Sequence, residues 1–445
     1  MRDMKKLFVV TAMTAMIGLC LSAATWEKTY PELNDAYSIF QTNDGGYAFT
    51  GLIWLEESVN LYIAKVDSWG NLLWYKYFHR SDYDGTIGLT IKETPDEGLA
   101  VLGTGNNPST GQPSSFWLLR TDSNGDTLWT RNYGGEKSAP EDMDICPDSG
   151  FIMTGLINPD DPTDNKNILL IRTDKNGSLL WEKDLGGYYG TQVRARENGF
   201  DLLADSNGIW FLKLDNNGDT LWTKRYPYPN QPGSAAYFGL TNDNGYIIMS
   251  SPADKLSVIK TNEYGNIEWE KNYQPERYLG PSSVNLWQTN DSGYFLIYNI
   301  NEYIWSLKLN VSGDSLWTKS FSGLTGSSCW ALDAKPTSDQ GMIIAGVDFD
   351  SLYAYLIKTD ENGNIGVEEN FPHPEIFTIR VGPNPSRGYI RFETDSPNPV
   401  HLKIYDIAGR LVKETQVEKS LKMNLPSGVF FWQTEKVKGK FIVVK

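Results

Sequence analysis

The sequence contains few of the residues from which most metal sites and nucleophilic active sites are built. Only three cysteines and three histidines occur among 445 residues. This scarcity argues against zinc sites, a disulfide framework and a histidine-dependent catalytic triad, since His79 is the only histidine between residues 25 and 371. Acidic residues outnumber basic ones, and the formal charge of −15 argues against a protein that binds nucleic acid.

Long hydrophobic runs are also missing, apart from one at the N-terminus. The run from Leu7 to Leu21 follows a basic start and is shorter than the roughly 20 residues that span a bilayer. It ends in Ser22-Ala23-Ala24, the small residues that a signal peptidase reads. We therefore predict a signal peptide over residues 1–24, cleaved after Ala24, and no membrane span in the mature chain. An uncleaved anchor and a lipoprotein with Cys20 as the lipid-bearing residue are the alternatives.

What the sequence has in abundance is glycine and aromatic residues, which fit many short strands joined by tight turns. One motif, Asp/Asn-x-x-Gly-x-x-x-Trp, occurs six times, and a seventh copy has Val367 in place of Trp. The seven glycines lie about 49 residues apart on average, and they are Gly70, Gly125, Gly177, Gly218, Gly265, Gly313 and Gly363. A period of this length is typical of the four-stranded blades of a β-propeller.

A second motif, Asp-x-Gly before an apolar stretch, keeps the same period, as in Asp44-Gly45-Gly46-Tyr47. Its fourth copy, Asn198-Gly199-Phe200, is shortened. Both motifs are interpreted as hairpin turns in which Asp or Asn bonds its own backbone and Gly takes a positive φ. The first repeat then consists of four strands, predicted at Ala36–Thr42, Tyr47–Leu52, Leu61–Asp67 and Leu72–Tyr77.

The ends of the repeat region predict a closed ring. Six copies of the fourth strand read Trp-x-Lys/Arg-x-aromatic or apolar, and the seventh repeat lacks this strand. Residues 26–30, Trp-Glu-Lys-Thr-Tyr, supply it. We predict that this strand completes the last blade, which removes two exposed sheet edges. The fold class is therefore all-β, with a seven-bladed β-propeller over residues 25–371. Cys146 and Cys329, four repeats apart, are expected to be buried thiols too distant to form a disulfide.

The composition changes after Phe371. Residues 372–445 carry a net charge of +5, against −22 for the repeat region. Alternating strand patterns predict a small immunoglobulin-like antiparallel β-sandwich. Its sequence landmarks are Pro383-Asn384-Pro385, a stretch from Ile404 to Val412 that includes Gly409-Arg410, a stretch around Gly428, and a closing Lys440–Lys445.

In this order these landmarks resemble the C-terminal sorting domain of type IX secretion cargo. The resemblance implies export by the type IX machinery of a Bacteroidetes-like bacterium, to the extracellular medium or the outer-membrane surface. The residues that carry it are Pro383, Asn384, Pro385, Gly409, Arg410, Gly428 and Lys445. An immunoglobulin-like domain of the flagellar hook-cap type shares several of these features and is the alternative.

Propeller topology places the connections between second and third strands, and those between blades, on one face, which we call the loop face. Function usually resides on such loops. Here an aromatic platform with a carboxylate cluster, a candidate calcium site, could be formed by Trp54, Glu56, Glu57, Asp160, Asp161 and Asp164. Tyr228 and Tyr278 are further candidates. The alternative for the acidic residues is that they are simply solvated.

No catalytic constellation emerges from the sequence. We therefore favour a non-enzymatic module that binds a glycan or a protein at the cell surface, with no required cofactor. Glycosidase or lyase chemistry needs only carboxylates or tyrosines, so a polysaccharide-active enzyme is the second hypothesis. A structural surface protein is the third.

Overall fold

A computed structural model describes residues 25–55, 58–80, 83, 85–106, 113–135, 137–158, 167–187, 189–205, 208–226, 236–251, 255–273, 282–366, 379–382, 386–387, 389–394, 399–407, 409–434 and 438–444. The chain divides into two compact units, Met1–Val367 and Glu368–Lys445, close to the predicted boundary. The predicted signal peptide lies outside the described residues. Within the described ranges, no helix has the length and hydropathy needed to cross a membrane.

The first unit consists of seven four-stranded antiparallel sheets. Blades one to three comprise β2 to β13, and blade seven also receives β1 (Trp26–Tyr30). Their bounds are β2 Ala36–Gln41, β3 Tyr47–Leu55, β4 Ser58–Val66, β5 Leu72–Phe78, β6 Thr86–Glu93, β7 Leu99–Asn106, β8 Pro113–Thr121, β9 Thr127–Tyr133, β10 Ser138–Ile145, β11 Phe151–Ile157, β12 Asn167–Thr173 and β13 Leu179–Asp184.

Blades four to seven continue in the same order along the chain. Their strands are β14 Tyr189–Arg196, β15 Gly199–Asp205, β16 Ile209–Leu214, β17 Thr220–Tyr226, β18 Ala236–Leu240, β19 Tyr246–Ser250, β20 Leu256–Thr261, β21 Ile267–Tyr273, β22 Ser282–Gln288, β23 Tyr294–Ile300, β24 Tyr303–Leu309, β25 Ser315–Phe321, β26 Cys329–Pro336, β27 Met342–Asp348 and β28 Tyr353–Thr359. A 3-10 turn, Leu324–Gly326, precedes β26.

The seven sheets form a closed ring. The first strand of every blade contacts the first strands of both neighbours, including β2 with β26. Strand β1 pairs antiparallel with β28, from Trp26 opposite Lys358 to Tyr30 opposite Ala354. The start of the propeller therefore forms the outermost strand of its last blade. The predicted seven-bladed propeller is confirmed.

The first repeated motif is explained by contacts between blades. Its glycines have φ of 70–77°, as the turn interpretation predicts. A Cβ atom on any of them would lie 2.6–3.0 Å from a ring carbon of the Trp in the preceding blade, from Trp26 over Gly70 to Trp317 over Gly363. The glycine therefore gives the turn its conformation and also makes room for the indole ring.

The remaining residues of the fourth-strand motif reach the same turn. Tyr30 donates a hydrogen bond to the carbonyl oxygen of Gly70 at 2.8 Å, and Tyr133, Tyr226 and Tyr273 repeat this contact. Lys28 donates to Asn71 at 2.9 Å, and lysines at the same position bond the next turn in blades one, three, four, five and six. The motif is therefore an interface between blades.

The second motif differs in part from its prediction. In six blades the positive φ belongs to the residue before the repeated glycine, for example Glu97 at 64° and Ser149 at 65°, whereas in blade four Gly199 itself has a φ of 135°. The glycine itself is required because a Cβ atom at Gly98 would lie 2.4 Å from the carbonyl oxygen of Thr121. The predicted positive φ of this glycine is therefore wrong for six copies and right for Gly199. In the six copies the glycine is required because the third strand approaches closely.

The connection between the second and third strands of blade one is also shorter than predicted. Strands β3 and β4 remain paired up to Leu55 opposite Ser58. The predicted strand bounds leave residues 53–60 as a connection, whereas residues 53–55 and 58–60 belong to the strands, because β-favouring residues such as Ile53, Trp54 and Val59 extend both of them.

The second unit has two sheets. One has the order β29 (Ile379–Gly382), β31 (Ile390–Thr394), β34 (Ser420–Met423), and the other has the order β30 (Ser386–Arg387), β36 (Lys438–Val444), β35 (Gly428–Gln433), β32 (Val400–Asp406), β33 (Leu411–Val417). Every pairing is antiparallel except the short one between β30 and β36. Their buried side chains form one core between the sheets, as expected for a small sandwich.

Replacing the tryptophan that closes the ring should destabilise the whole propeller. Trp26 is buried, and its indole N–H donates to the carbonyl oxygen of Ser68 at 3.0 Å. We expect Trp26→Ala to lower the free energy of unfolding by about 3–5 kcal/mol, measured by urea denaturation. Trp69→Ala is the control, since Trp69 is exposed and should change stability by less than about 0.5 kcal/mol. Equal stability of both variants would contradict closure by β1.

Candidate functional site

Of the predicted binding residues, the structure describes Trp54. It lies near the end of β3 on the loop face and is 69 % exposed. Its backbone N–H donates to Asn34 Oδ1 at 2.9 Å, so the residue is held although its side chain is not covered. The other candidates, Glu56, Glu57, Asp160, Asp161, Asp164, Tyr228 and Tyr278, lie outside the described residues. A calcium site among them stays a prediction.

The turn between β27 and β28 of blade seven lies beside Trp54 and is held by side-chain hydrogen bonds. Asp348 is buried, and its Oδ1 accepts hydrogen bonds from the backbone N–H groups of Asp350 and Ser351 at 3.1 and 3.0 Å. Its Oδ2 accepts from the Ser327 hydroxyl. This buried carboxylate therefore fixes a turn whose apolar side chains, Phe349 and Leu352, point away from the core and are 39 % and 59 % exposed.

Leu352 has an unusual backbone conformation. Its φ of 58° is in the left-handed region, which costs a residue with a side chain about 1–2 kcal/mol. The strain is offset by hydrogen bonds from Leu352 N–H to the Asp348 carbonyl oxygen at 2.7 Å and from Asn34 Nδ2 to the Leu352 carbonyl oxygen at 2.9 Å. Asn34 therefore joins the Leu352 turn to Trp54, and it holds both in place.

Two more aromatic side chains extend this group toward blade six. Trp330 packs edge-on against Phe349, with ring centroids 5.7 Å apart, and is 39 % exposed. Tyr303 is 40 % exposed at the start of β24, next to Glu302. The Glu302 side chain accepts a hydrogen bond from Ser328 at 2.8 Å, which links the blade-six hairpin to blade seven. We call Trp54, Tyr303, Trp330, Phe349 and Leu352 the loop-face apolar group.

The loop-face apolar group was largely missed by sequence reasoning, which favoured the long acidic connections. Trp330, Phe349 and Tyr303 belong to no repeated motif and lie in or beside short connections. No motif or spacing in the sequence marks these residues, and Tyr303 has an equivalent in Tyr353 at the start of β28. Asp35, next to Asn34, has a pKa that burial raises, although the Tyr37 hydroxyl donates to it at 3.3 Å.

The axis of the ring carries the other concentration of polar residues. Register shifts in six of the seven first strands place one residue of each blade at an equivalent position: Ser38, Thr90, Asp142, Gln192, Tyr237, Asn285 and Asp333. Four of these side chains accept a hydrogen bond from a backbone N–H of the following blade, at 2.7–3.3 Å. These contacts join neighbouring blades around the axis.

Three ion pairs accompany these hydrogen bonds. Arg194 bonds Asp142 at 2.6 Å, Lys92 pairs with Asp144 at 3.2 Å, and Lys335 bonds Asp333 at 2.6 Å. Burial alone would raise the pKa of Asp144, but Lys92, Arg194 and the N–H of Ala195 lower it. The pKa of Lys335 is lowered, mainly by burial. The three carboxylates are thus neutralised by three cations.

The Tyr237 hydroxyl extends toward these pairs. Burial raises its pKa, and Asp333, Glu141 and Asp142 from blades seven and three raise it further. Asp333 also accepts from Ser38, Asn285 and two backbone N–H groups. Together with Lys335, these donors engage both carboxylate oxygens of Asp333 in hydrogen bonds. The arrangement is suited to joining blades.

Among the described residues, no group of three or more His, Cys, Asp or Glu is placed to hold a metal ion. Cys146 and Cys329 are buried and unlinked, as expected, and burial raises the pKa of both thiols to about 12.

A small recess of about 230 Å³ between blades six and seven is lined by repeat residues such as Asp291, Lys308 and Trp317.

Blade four has an unusual buried carboxylate that has a structural explanation. In six blades a Lys or Arg of the third strand pairs with the Asp of the second motif, as Lys358 does with Asp339 at 2.7 Å. The shortened copy in blade four lacks that Asp. Asp201 replaces it from the neighbouring strand, opposite Lys213, and accepts from Lys213 at 3.2 Å and from Tyr246 at 3.1 Å.

In the second unit, part of the predicted sorting motif forms a turn. Gly409 has φ of 77°, and its N–H donates to the Asp406 carbonyl oxygen at 2.9 Å. Arg410 donates from Nε to Asp406 Oδ2 at 2.7 Å. Gly428 begins β35. Pro383, Asn384, Pro385 and Lys445 lie outside the described residues.

Comparison with known proteins identifies this unit. Residues 380–445 match the family described as the secretion system C-terminal sorting domain. The predicted sorting tail is confirmed. It marks the protein for export to the cell surface or the medium and implies an interaction with the type IX secretion machinery. This match supports the sorting interpretation over the hook-cap alternative.

Comparisons of the whole chain with known proteins are less informative. No curated protein matches it. Among solved structures, BamB from Moraxella catarrhalis matches over 73 % of this chain and 85 % of its own, with 11 % sequence identity and a TM-score of 0.42.

Removing Asp201 should destabilise the fold because Lys213 and Arg196 lose their buried partner. We expect Asp201→Ala to lower the free energy of unfolding by about 3 kcal/mol in urea denaturation. Replacing Lys213 by Leu in the same variant should recover part of this loss, which identifies the ion pair as the cause. Asp219→Ala, which removes an exposed partner of Lys183, should cost less than about 1 kcal/mol. Equal losses in the two Asp variants would contradict the compensation.

Proposed function

We propose that the protein is an exported, non-enzymatic binding module whose loop-face apolar group takes a macromolecular ligand outside the cell. The observation that carries this proposal is the turn of blade seven. A buried carboxylate and a bridging asparagine hold Leu352 in a strained conformation and leave Leu352 and Phe349 uncovered. Residues in a strained backbone conformation are typical of binding sites, where contacts with the surrounding structure maintain that conformation.

The exposed group has the composition of a binding surface. Tryptophan, tyrosine and phenylalanine are enriched at interfaces because they offer large contact areas with few rotatable bonds. Exposed apolar side chains that lie close together on a soluble protein mark interaction sites more often than single ones do. Asp35 and Tyr37 lie beside Asn34 and provide polar groups near the apolar ones.

A protein ligand is favoured over a glycan. Sugar rings stack on exposed aromatic faces, whereas Trp330 and Phe349 meet edge to face at an interplanar angle of 74°. Leu352 is aliphatic and offers no ring for stacking. Trp54 alone has the exposure suited to a sugar. A glycan remains the second ligand class, and the binding experiment below separates the two.

The enzymatic alternative has weaker support. A glycosidase needs one carboxylate that accepts or donates a proton and a second one across the scissile bond. The carboxylates at the ring axis, Asp142, Asp144 and Asp333, are each paired with a cation in the described residues. Turnover of a polysaccharide that Asp142→Asn abolishes and Trp54→Ala preserves would support the enzyme and contradict the binding proposal.

Binding should depend on the loop-face apolar group and on no residue of the opposite face. We expect Trp54→Ala and Phe349→Ala each to weaken binding of the labelled protein to whole cells by about tenfold or more, as for anchor residues of an interface. The measurement is a titration by flow cytometry, with melting temperatures to show that both variants fold.

Trp69→Ala is the matched control, because Trp69 is similarly exposed, at 56 %, but lies in the β4–β5 turn on the other face. Its binding should equal that of the parent. Loss of binding after protease treatment of the cells would identify a protein ligand, and loss after glycosidase treatment a glycan. Undiminished binding by both loop-face variants would contradict the proposed site.

A further inference from the structure

The five-stranded sheet of the sorting tail has one face that packing explains. Side chains of β32, β33, β35 and β36 alternate into the core shared with the smaller sheet. The buried ones are Leu402, Ile404, Val417, Phe430, Trp432 and Val443. In an antiparallel sheet with one buried face, the residues between them should be polar, because they face water.

At one end of the sheet the residues on the opposite face are apolar instead. The register places Leu411 opposite Tyr405, and Tyr405 opposite Phe431. Opposite residues of neighbouring strands share a face, so these three side chains form a row across β33, β32 and β35. Leu411 is 51 % and Phe431 44 % exposed. Two positions from Phe431 along β35 is Val429, which lies opposite Ile442.

The turn of the sorting motif borders this row. Ile407 is 76 % exposed between Asp406 and Gly409. The Asp406 carboxylate accepts hydrogen bonds from the backbone N–H and from the side-chain Nε of Arg410, and these two bonds fix the shape of the turn. Gly409 and Arg410 therefore act on the position of Ile407 and on the start of β33. We call Tyr405, Ile407, Leu411, Val429 and Phe431 the tail apolar patch.

The other end of the same face follows the ordinary pattern. Lys403 lies opposite Glu414 and Gln433, and Glu414 accepts from His401 at 3.1 Å and pairs with Lys403 at 3.5 Å. At this end of the sheet, buried apolar side chains therefore alternate with outward-facing polar ones, as expected. The apolar end is therefore a local departure from this pattern.

We propose that the tail apolar patch is the surface by which the sorting tail docks on a protein component of the type IX secretion machinery. The occupant follows from the family match, since residues 380–445 are the part of the chain that matches a secretion sorting domain and they contain the whole patch. The landmark stretches around Gly409 and Gly428 supply all five side chains. Packing in the core explains the buried residues that alternate with them along the strands, but it does not explain these five side chains.

The chemistry of the partner follows from the patch. An aromatic and aliphatic row with a polar end selects a protein groove that is apolar at its centre and hydrophilic at one side. A central aromatic residue such as Phe431 is the type of residue that contributes most to protein interfaces.

The test is secretion of the full-length protein from a host with a functional type IX system. Phe431→Lys places a charge in the centre of the patch without disturbing the core. We expect the fraction of protein in the medium and at the cell surface to fall by about tenfold, with accumulation in the periplasm, as for loss of an interface anchor. Gln433→Lys is the matched control, since it lies two residues on in the same strand, on the same face, and is exposed.

Leu411→Lys provides a second variant on the edge strand β33, where a lysine is compatible with folding. Melting temperatures of all purified variants should equal that of the parent. Export of Phe431→Lys and Leu411→Lys at the parent level would overturn the proposal, as would an equal defect in Gln433→Lys. Normal export combined with a change from dimer to monomer, or with a lower melting temperature of the propeller, would show that the patch contacts another copy or the propeller instead.

Discussion

The structure depends on one contact, that between the outermost strand of each blade and a turn of the next. A tryptophan lies over a glycine that must have positive φ, a lysine bonds the same turn, and a tyrosine donates to the glycine carbonyl in several blades. A chain with seven such turns needs seven such strands. Because the seventh repeat has none, residues 26–30 must return to it, and the two ends of the propeller become neighbours. This requirement explains the order of the motifs and the absence of an exposed edge at the closure.

The engagement of side chains in contacts between blades also limits where function can reside. The charged residues at the axis, which in isolation resemble an active site, pair with one another and with backbone groups of adjacent blades. The buried Asp201 compensates for a shortened turn. After these structural roles are assigned, two groups of exposed large apolar side chains lie beside turns, one on the loop face of blades six, seven and one and the other on one face of the sorting tail. The loop-face and tail groups each lie beside a turn fixed by a bonded aspartate, Asp348 or Asp406. We therefore assign recognition to these two surfaces.

Much of the fold could be predicted because the propeller repeats local signals. The spacing of Gly70 and its six equivalents predicted the blade number, and Trp26 predicted the closure. The tail was predicted from short landmarks in a fixed order. The binding surface could not be predicted in this way, because Trp330, Phe349 and Leu352 belong to neither repeated motif. Leu352 is joined to Trp54 through Asn34, which lies 318 residues before Leu352 in the chain. The placement of equivalent polar residues such as Ser38 and Asp333 at the ring axis depends on bulges that shift the register by one residue, and the sequence contains no clear sign of these bulges. The glycines of the second motif were placed correctly, but the predicted positive φ applies to Gly199 and not to the other six.

Hydrogen–deuterium exchange of residues 26–30 tests closure of the ring most directly. Amide protection reports the free energy of the opening that exposes each group. If β1 is an integral strand of blade seven, the protected amides of Trp26–Tyr30 should exchange as slowly as those of Thr127–Tyr133, the equivalent strand of blade two. Both should exchange only as the propeller unfolds. Exchange of residues 26–30 within seconds, while β9 stays protected, would show that the N-terminal strand is detached and that the ring is not closed in the way described.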